Sequence, residues 1–175
     1  MSDDSALCYL GLGANLGRRA LQLARAISAL ASRPELLLHG VSRVYETEPV
    51  GYPPGPDNPR YLNLVVAVEA HCEPRALLAL AHGIESQLGR ERSVANAPRT
   101  IDIDLLACGG IMVQTPELTL PHPRMWERQF VLAPLADVAP GLVLDGHGPA
   151  AALVDPQDPE IRLLGRLSDL VRSNA

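Results

Sequence analysis

Residues 99 to 106 read Arg-Thr-Ile-Asp-Ile-Asp-Leu-Leu and follow Ala97-Pro98. Side chains on a β-strand alternate between its faces, so Ile101, Ile103 and Leu105 point one way while Asp102 and Asp104 point the other. Such a strand needs an apolar layer beneath it. It also needs something cationic above it, because like charges on one face cost stability until a metal ion or a basic group neutralises them. Carboxylate oxygens this close suit magnesium better than zinc. The plainer alternative is a solvated face of an antiparallel sheet, where alternation is expected anyway. Arg90, Arg92, Arg99 and His122, all near in sequence, weigh against it.

The flanking segments supply the layer. Ala6 to Leu12 fits a buried first strand, and Asn15 offers an N-cap for a helix carrying Leu16, Leu21, Leu23, Ala24, Ile27 and Leu30. Leu36 to Thr47 reads as a second strand and the Val-rich Tyr61 to His71 as a third. Pro74 opens a second amphipathic helix that Gly89 closes. The Asp-bearing strand then runs to Cys108, and a Gly109-Gly110 turn leads to a short apolar partner at Ile111 to Val113. The order β-α-β-β-α-β predicts an α+β, ferredoxin-like core with both helices on one face of an antiparallel sheet and the Asp pair on the other. A helix broken near Pro134 is expected over Phe130 to Val138, and a last helix over Glu160 to Val171. The 175 residues make one domain, with a core over about 6–140 and a C-terminal extension over about 141–175.

Charge narrows the chemistry. A net charge of −5 argues against a general nucleic-acid or membrane-surface binder. All fifteen basic residues are Arg, which excludes Schiff-base chemistry and the lysine of a Walker loop. Phosphate, if bound, falls to Arg and metal. Met1 to Ser5 shows no basic-then-apolar signal, so the expected location is cytoplasmic. Cys8, Cys72 and Cys108 are odd in number and far apart, and read as reduced core residues.

Gly11-x-Gly13-x-x-x-Gly17 departs from the dinucleotide-binding spacing and implies instead a tight turn where backbone approaches a flat ligand. Pro49 to Pro59 holds five prolines and two glycines in eleven residues and should be a loop over a site. Phe130, the only Phe, could sandwich a planar heterocycle with a tyrosine from among Tyr45, Tyr52 and Tyr61, whose edge Asn63 could read.

These motifs are joined by Gly-x-Gly-Ala-Asn-Leu-Gly, Tyr45-x-Thr47-x-Pro49-x-Gly51, Tyr61-Leu62-Asn63, Gly89-Arg90-x-Arg92, Pro98 to Leu105, and Leu120-Pro121-His122-Pro123-Arg124-Met125. In that order the chain resembles the 6-hydroxymethyl-7,8-dihydropterin pyrophosphokinase family over about Cys8 to Pro140. The resemblance implies transfer of pyrophosphate from ATP to the pterin hydroxymethyl group, releasing AMP, in folate biosynthesis. It implies that Asp102 and Asp104 hold two magnesium ions and that Arg90, Arg92, Arg99, His122 and Arg128 contact phosphate, with Arg92 and Arg99 bearing on transition-state charge. Thr47, Val50 and Asn63 would form the pterin pocket, Tyr45 and Phe130 would close over the ring, and Glu85 and Thr119 would face the nucleoside. The implied partners are these small molecules, with folate-pathway enzymes as candidate associates.

The chain departs from the family pattern at Ala95 and Asn96, where a basic and an aromatic residue are common, and in a lengthened loop at Pro54-Gly55-Pro56. Nothing after Pro140 carries a transferable motif. Two rivals remain: a nucleotidyl transferase or cyclase on a similar two-aspartate sheet, and a non-catalytic ligand-binding module.

Overall fold

The computed structural model describes residues 5–50, 55–56, 58–90, 98–144 and 146–173. In chain order the elements are β1 (Ala6–Ala14), α1 (Arg19–Ala31), β2 (Leu36–Val41), β3 (Val44–Thr47), β4 (Tyr61–Ala70), α2 (Pro74–Gln87) and β5 (Asp102–Cys108). They continue with β6 (Val113–Gln114), β7 (Thr119–Leu120), α3 (Gln129–Val138), β8 (Val143–Leu144), β9 (Gly148–Pro149), β10 (Ile161–Gly165) and α4 (Leu167–Ser173). The main sheet has six strands in the order β10-β3-β4-β1-β5, with β2 also on β4, and every pairing is antiparallel. The class is α+β, as the order of sequence periods predicts.

The β5 alternation holds. Ile103 and Leu105 are buried with Leu10, Leu12 and Leu64 against α1 and α2, while Asp102 and Asp104 face away from that core. Pro74 starts α2 at a position that needs no N–H donor, and Leu77, Ala81, Ile84 and Glu85 form its buried stripe. The opposite face is covered in part by α3, whose Leu132 and Leu135 pack with Tyr9, Val65, Ala67 and Leu106. A bulge shifts the β1–β5 register between Tyr9↔Ala107 and Leu10↔Leu105, leaving Leu106 as the extra residue.

Several expectations are corrected. The second strand is two: β2 and β3 lie along the same edge of β4, broken at Ser42, whose hydroxyl accepts the Val65 N–H at 2.9 Å. Helix α1 starts at Arg19 rather than beyond an Asn15 cap, because the Asn15 side chain is spent on other segments. Residues 113–114 pair with 119–120 and not with β5. Helix α3 runs through Pro134 without a break, its lost hydrogen bond offset by burial of Leu132 and Leu135. The expected last helix splits at Gly165, whose φ of 114° ends β10 before α4 begins. The spacing of Ile161, Leu164, Leu167 and Leu170 fits a helix, but pairing of Ile161 to Thr47 and Arg162 to Glu46 holds the first half as strand. Cys8 and Cys108 are not reduced core thiols: they sit opposite each other in the β1–β5 register and are joined as a disulfide, with Cys72 free. Sequence separation gave no sign that antiparallel pairing returns the chain to the same point.

Candidate active site

At the start of α3, beside Phe130 and Val131, a cleft of about 260 Å³ opens on the surface of the sheet. Its floor follows from register. Across three neighbouring strands, Asn63 of β4 lies opposite Gly13 of β1, which lies opposite Asp102 of β5. Two residues along, Val65, Gly11 and Asp104 repeat the row. Both glycines are therefore strand residues, not the turn residues that their spacing suggests. Lacking side chains, they clear the surface between Asn63 and the aspartates, a span of roughly 10 Å at two interstrand spacings.

The cleft is lined by Thr47, Val50, Asn63, Arg99, Asp102, Asp104, His122, Arg128 and Phe130, so nine of the residues singled out in the sequence converge on it. Asp102 is held by two guanidiniums, Arg90 at 2.6 Å and Arg99 at 2.5 Å. Arg90 also pairs with Glu85, and Glu85 accepts the Ile103 N–H at 2.7 Å. Asp104 has the less favourable setting. Desolvation at the floor of the cleft, where its side chain still meets solvent, and the neighbouring charge of Asp102 push its carboxyl up to about 6. Such a group favours either a proton or a cation.

Arg99 is placed by its backbone. Its N–H donates to the Asn15 side-chain oxygen at 2.7 Å, and its carbonyl accepts the N–H groups of Asn15 and Leu16. The Asn15 amide nitrogen donates to the Pro59 carbonyl at 3.1 Å, so one residue ties together the segments leading into β4 and β5. His122 follows a cis Leu120-Pro121 bond, and its N–H donates to the carbonyl of the bulged Leu106 at 2.7 Å. Its Nδ1 accepts the Arg124 N–H at 3.3 Å, which leaves Nε2 as the nitrogen that bears hydrogen in the neutral ring. Burial, then Arg128 and Arg124, lowers its pKa. Arg128 stands 5.5 Å from the centre of the Phe130 ring.

On the other side Asn63 donates to the Thr47 hydroxyl at 2.7 Å, and both are buried. Tyr45 does not line the cleft. Its hydroxyl is held by Asp137 of α3 and by Arg43, and burial followed by the Asp137 charge pushes its pKa up to about 12. Tyr61 lines the cleft together with Phe130, and burial raises its pKa as well. The sequence placed the two tyrosines equally, and β3–β4 pairing sets both on one face of the sheet; the hold of Asp137 on the Tyr45 hydroxyl keeps it out of the lining. Glu85, Arg90 and Thr119 are not part of the lining. Glu85 and Arg90 instead brace Asp102 from behind, and Thr119 pairs with Gln114 in the β6–β7 hairpin. Arg92, Ala95, Asn96 and Tyr52 lie outside the described residues. Gly11, Gly13, Asn15 and Arg124 are the site residues that the sequence did not single out for these roles, while Tyr61 was one of three tyrosines offered for the ring. The pairing of a Gly-x-Gly strand with an Asp-x-Asp strand was the available signal for the glycines.

Known proteins resemble this chain over most of its length. The model of the 7,8-dihydro-6-hydroxymethylpterin-pyrophosphokinase (HPPK) family matches residues 9–140. The 2-amino-4-hydroxy-6-hydroxymethyldihydropteridine pyrophosphokinase of Bacillus subtilis is 42% identical over 132 residues, 75% of this chain and 77% of that one. The protein of the same name from Methylorubrum extorquens is 43% identical over 150 residues, 85% of this chain and 93% of that one. The bifunctional protein FolKE of Lactococcus lactis is 38% identical over 130 residues, 74% of this chain and 36% of that one. Wild-type HPPK-DHPS of Plasmodium falciparum, solved with pteroate, shares the fold with a TM-score of 0.67 at 17% identity, over 87% of this chain and 42% of that one. This chain thus spans less than half of that structure. With a family match over most of its length and relatives above 40% identity, the chain belongs to the 7,8-dihydro-6-hydroxymethylpterin-pyrophosphokinase family.

Proposed function

We infer that the chain transfers the pyrophosphoryl group of ATP to the hydroxymethyl oxygen of 6-hydroxymethyl-7,8-dihydropterin, releasing AMP. The row Asn63–Gly13–Asp102 carries this reading, because it sets a polar heterocycle-reading group and a metal-type carboxylate pair on either side of a cleared strand. A flat ring would sit between Phe130 on one side and Tyr61 with the adjoining Thr47–Val50 segment on the other, and would present its edge to Asn63.

Magnesium fits the donor set. Among the described residues no group of three or more His, Cys, Asp or Glu is placed to hold a metal ion. Two carboxylates completed by substrate phosphates are the usual protein contribution for magnesium. Asp102 and Asp104 would hold two such ions, and bound magnesium supplies neutralisation of phosphate charge. Asp104, which favours a proton or a cation, is the stronger sign.

The chain's own residues supply positioning. Arg99, fixed through its backbone by Asn15, and Arg128 aim guanidiniums at the region where phosphate charge develops, with Arg90 holding Asp102 in register. His122 offers a neutral Nε2–H donor. Arg92 takes a phosphate role on the family resemblance alone. The pterin hydroxyl then attacks the β-phosphorus in line, and alignment with charge stabilisation carries the rate. Among the described residues no helix is long and apolar enough to cross a membrane. We place the chain in the cytoplasm, with folate-pathway enzymes as associates, a reading supported by its fused relatives.

The test is incubation with ATP, magnesium and the pterin, followed by separation of nucleotides, for the wild type and Asp104→Asn. Pterin-dependent AMP, lost in the variant, is the expected result. ADP would replace this reading with simple kinase chemistry, pyrophosphate release with nucleotidyl transfer, and no turnover by folded protein with a binding module.

A further inference from the structure

Residues 153–162 lie beyond the family match, yet they bond to Gln129, beside one wall of the pterin slot, and to Glu48 and Thr47 in the other. One wall is Phe130, second residue of α3; the other is Thr47 to Val50 at the end of β3. The Gln129 side chain, just before Phe130, donates from Nε2 to the Leu153 carbonyl at 2.9 Å and accepts at Oε1 from the Asp155 N–H at 2.9 Å. At the far end the Glu160 carbonyl accepts the Glu48 N–H at 3.3 Å, and Ile161 pairs with Thr47. Arg162 then binds Glu46 at 2.6 Å.

The connecting stretch is stiff. Asp155 accepts the Gln157 N–H at 2.9 Å and Asp158 accepts the Glu160 N–H at 2.8 Å, so the tandem Asp-Pro-Gln-Asp-Pro-Glu makes consecutive side-chain-capped turns. Pro156 and Pro159 restrict its backbone further. Gln129 is not itself part of the cleft lining.

We propose that Gln129 and residues 153–160 form a strap that fixes the separation of the Phe130 wall from the Thr47–Val50 wall, making them positioning elements for the planar pterin. This rests on the pterin reading of the cleft. Contact with a flat ring weakens steeply when a wall recedes by half an ångström or so. Of the phosphate side, Arg99, Asp102, Asp104 and His122 are held through β5, Asn15 and Leu106, away from the strap, and only Arg128 adjoins it, beside Gln129. The strap therefore acts chiefly on one substrate.

The variants are Gln129→Ala, which removes both hydrogen bonds, and Asp158→Ala, which softens the strap at its middle without touching either wall. For both, the KM for the pterin rises about tenfold while the KM for ATP and kcat stay within about twofold. Gln129→Glu keeps the acceptor for Asp155 and raises the pterin KM by only about threefold. An unchanged pterin KM, with or without a lowered Tm, overturns the proposal, and so do parallel rises in both KM values. Titration calorimetry of the pterin against wild type and Gln129→Ala gives an independent readout. If the wild type binds pterin but makes no AMP, the functional reading fails while the strap is still judged by the affinity ratio; if it does not bind pterin, both fail.

Discussion

A Cβ on Gly13 would lie 2.7 Å from the side-chain oxygen of Asn63. That oxygen occupies the space because its amide partner is fixed on the Thr47 hydroxyl. Gly13→Ala must therefore push Asn63 off Thr47. The expected result is a pterin KM raised about tenfold or more with ATP binding little changed, and a stability loss of about 1–3 kcal/mol from overpacking. Gly11→Ala is the control for stability, since its Cβ would meet Leu106 at an ordinary 3.5 Å. Steady-state kinetics and urea denaturation of the pair check this.

Asp104 carries its charge against its surroundings in the ligand-free protein. With a folded pKa near 6, above the ordinary carboxylate value, the native state binds more protons than the unfolded state between about pH 4 and 6, so stability falls as pH rises through that window. Above it the cost is complete. Asp104→Asn removes that cost and should raise the ligand-free Tm at pH 7 by about 2–4 °C, the screening of its cleft-facing oxygens being allowed for. The same variant loses pterin-dependent AMP formation by about a hundredfold or more. Scanning calorimetry should show the gain absent below about pH 4, partial at pH 5 and complete at pH 7.

His122 titrates in the other sense. Burial and then the Arg128 and Arg124 charges lower its pKa, so around pH 6 the unfolded chain takes a proton that the native ring refuses. Its stabilising contribution is present above about pH 6.5 and is lost as pH falls toward the folded pKa. A proton NMR titration should give a His122 midpoint below about 6.5, moving upward in Arg128→Gln.

Glu85 should separate structure from contact with substrate. It is 1% exposed and holds both Arg90 and the Ile103 N–H. Glu85→Ala leaves Arg90 with Asp102 as its carboxylate partner and strands the Ile103 main-chain donor, for an expected loss of about 1–3 kcal/mol in denaturant titration. Glu85→Gln keeps an acceptor and should cost less than half of that, with the ATP KM rising only through disturbance of Asp102.

The Asp pair and its apolar counterpart were legible in the sequence because a single strand's alternation determines both faces. Helix α2 was legible because its proline start, apolar stripe and glycine stop agree. Features that depend on which strand lies beside which were not. Tyr45 and Tyr61 each flank a motif residue, and only the packing of Asp137 on one of them removes it from the cleft. Cys8 and Cys108 meet only because β1 and β5 pair at those positions. Asn15 has the composition of a helix cap, and three-dimensional neighbours claim its side chain first. The stretch from Ile161 to Val171 carries a spacing that serves either state, and an open edge on β3 decides for strand in its first half.

The extra residue in β5 has a further implication. The Leu106 carbonyl, freed from the ladder, is what seats His122, and that joint is made of main chain on both sides. No side-chain replacement at 106 deletes it, and at 122 only proline, which lacks the N–H, would. His122 and the two aspartates are thus calibrated against one strand, like two marks on a single ruler, and mutational drift can change what each mark does far more readily than how far apart they stand.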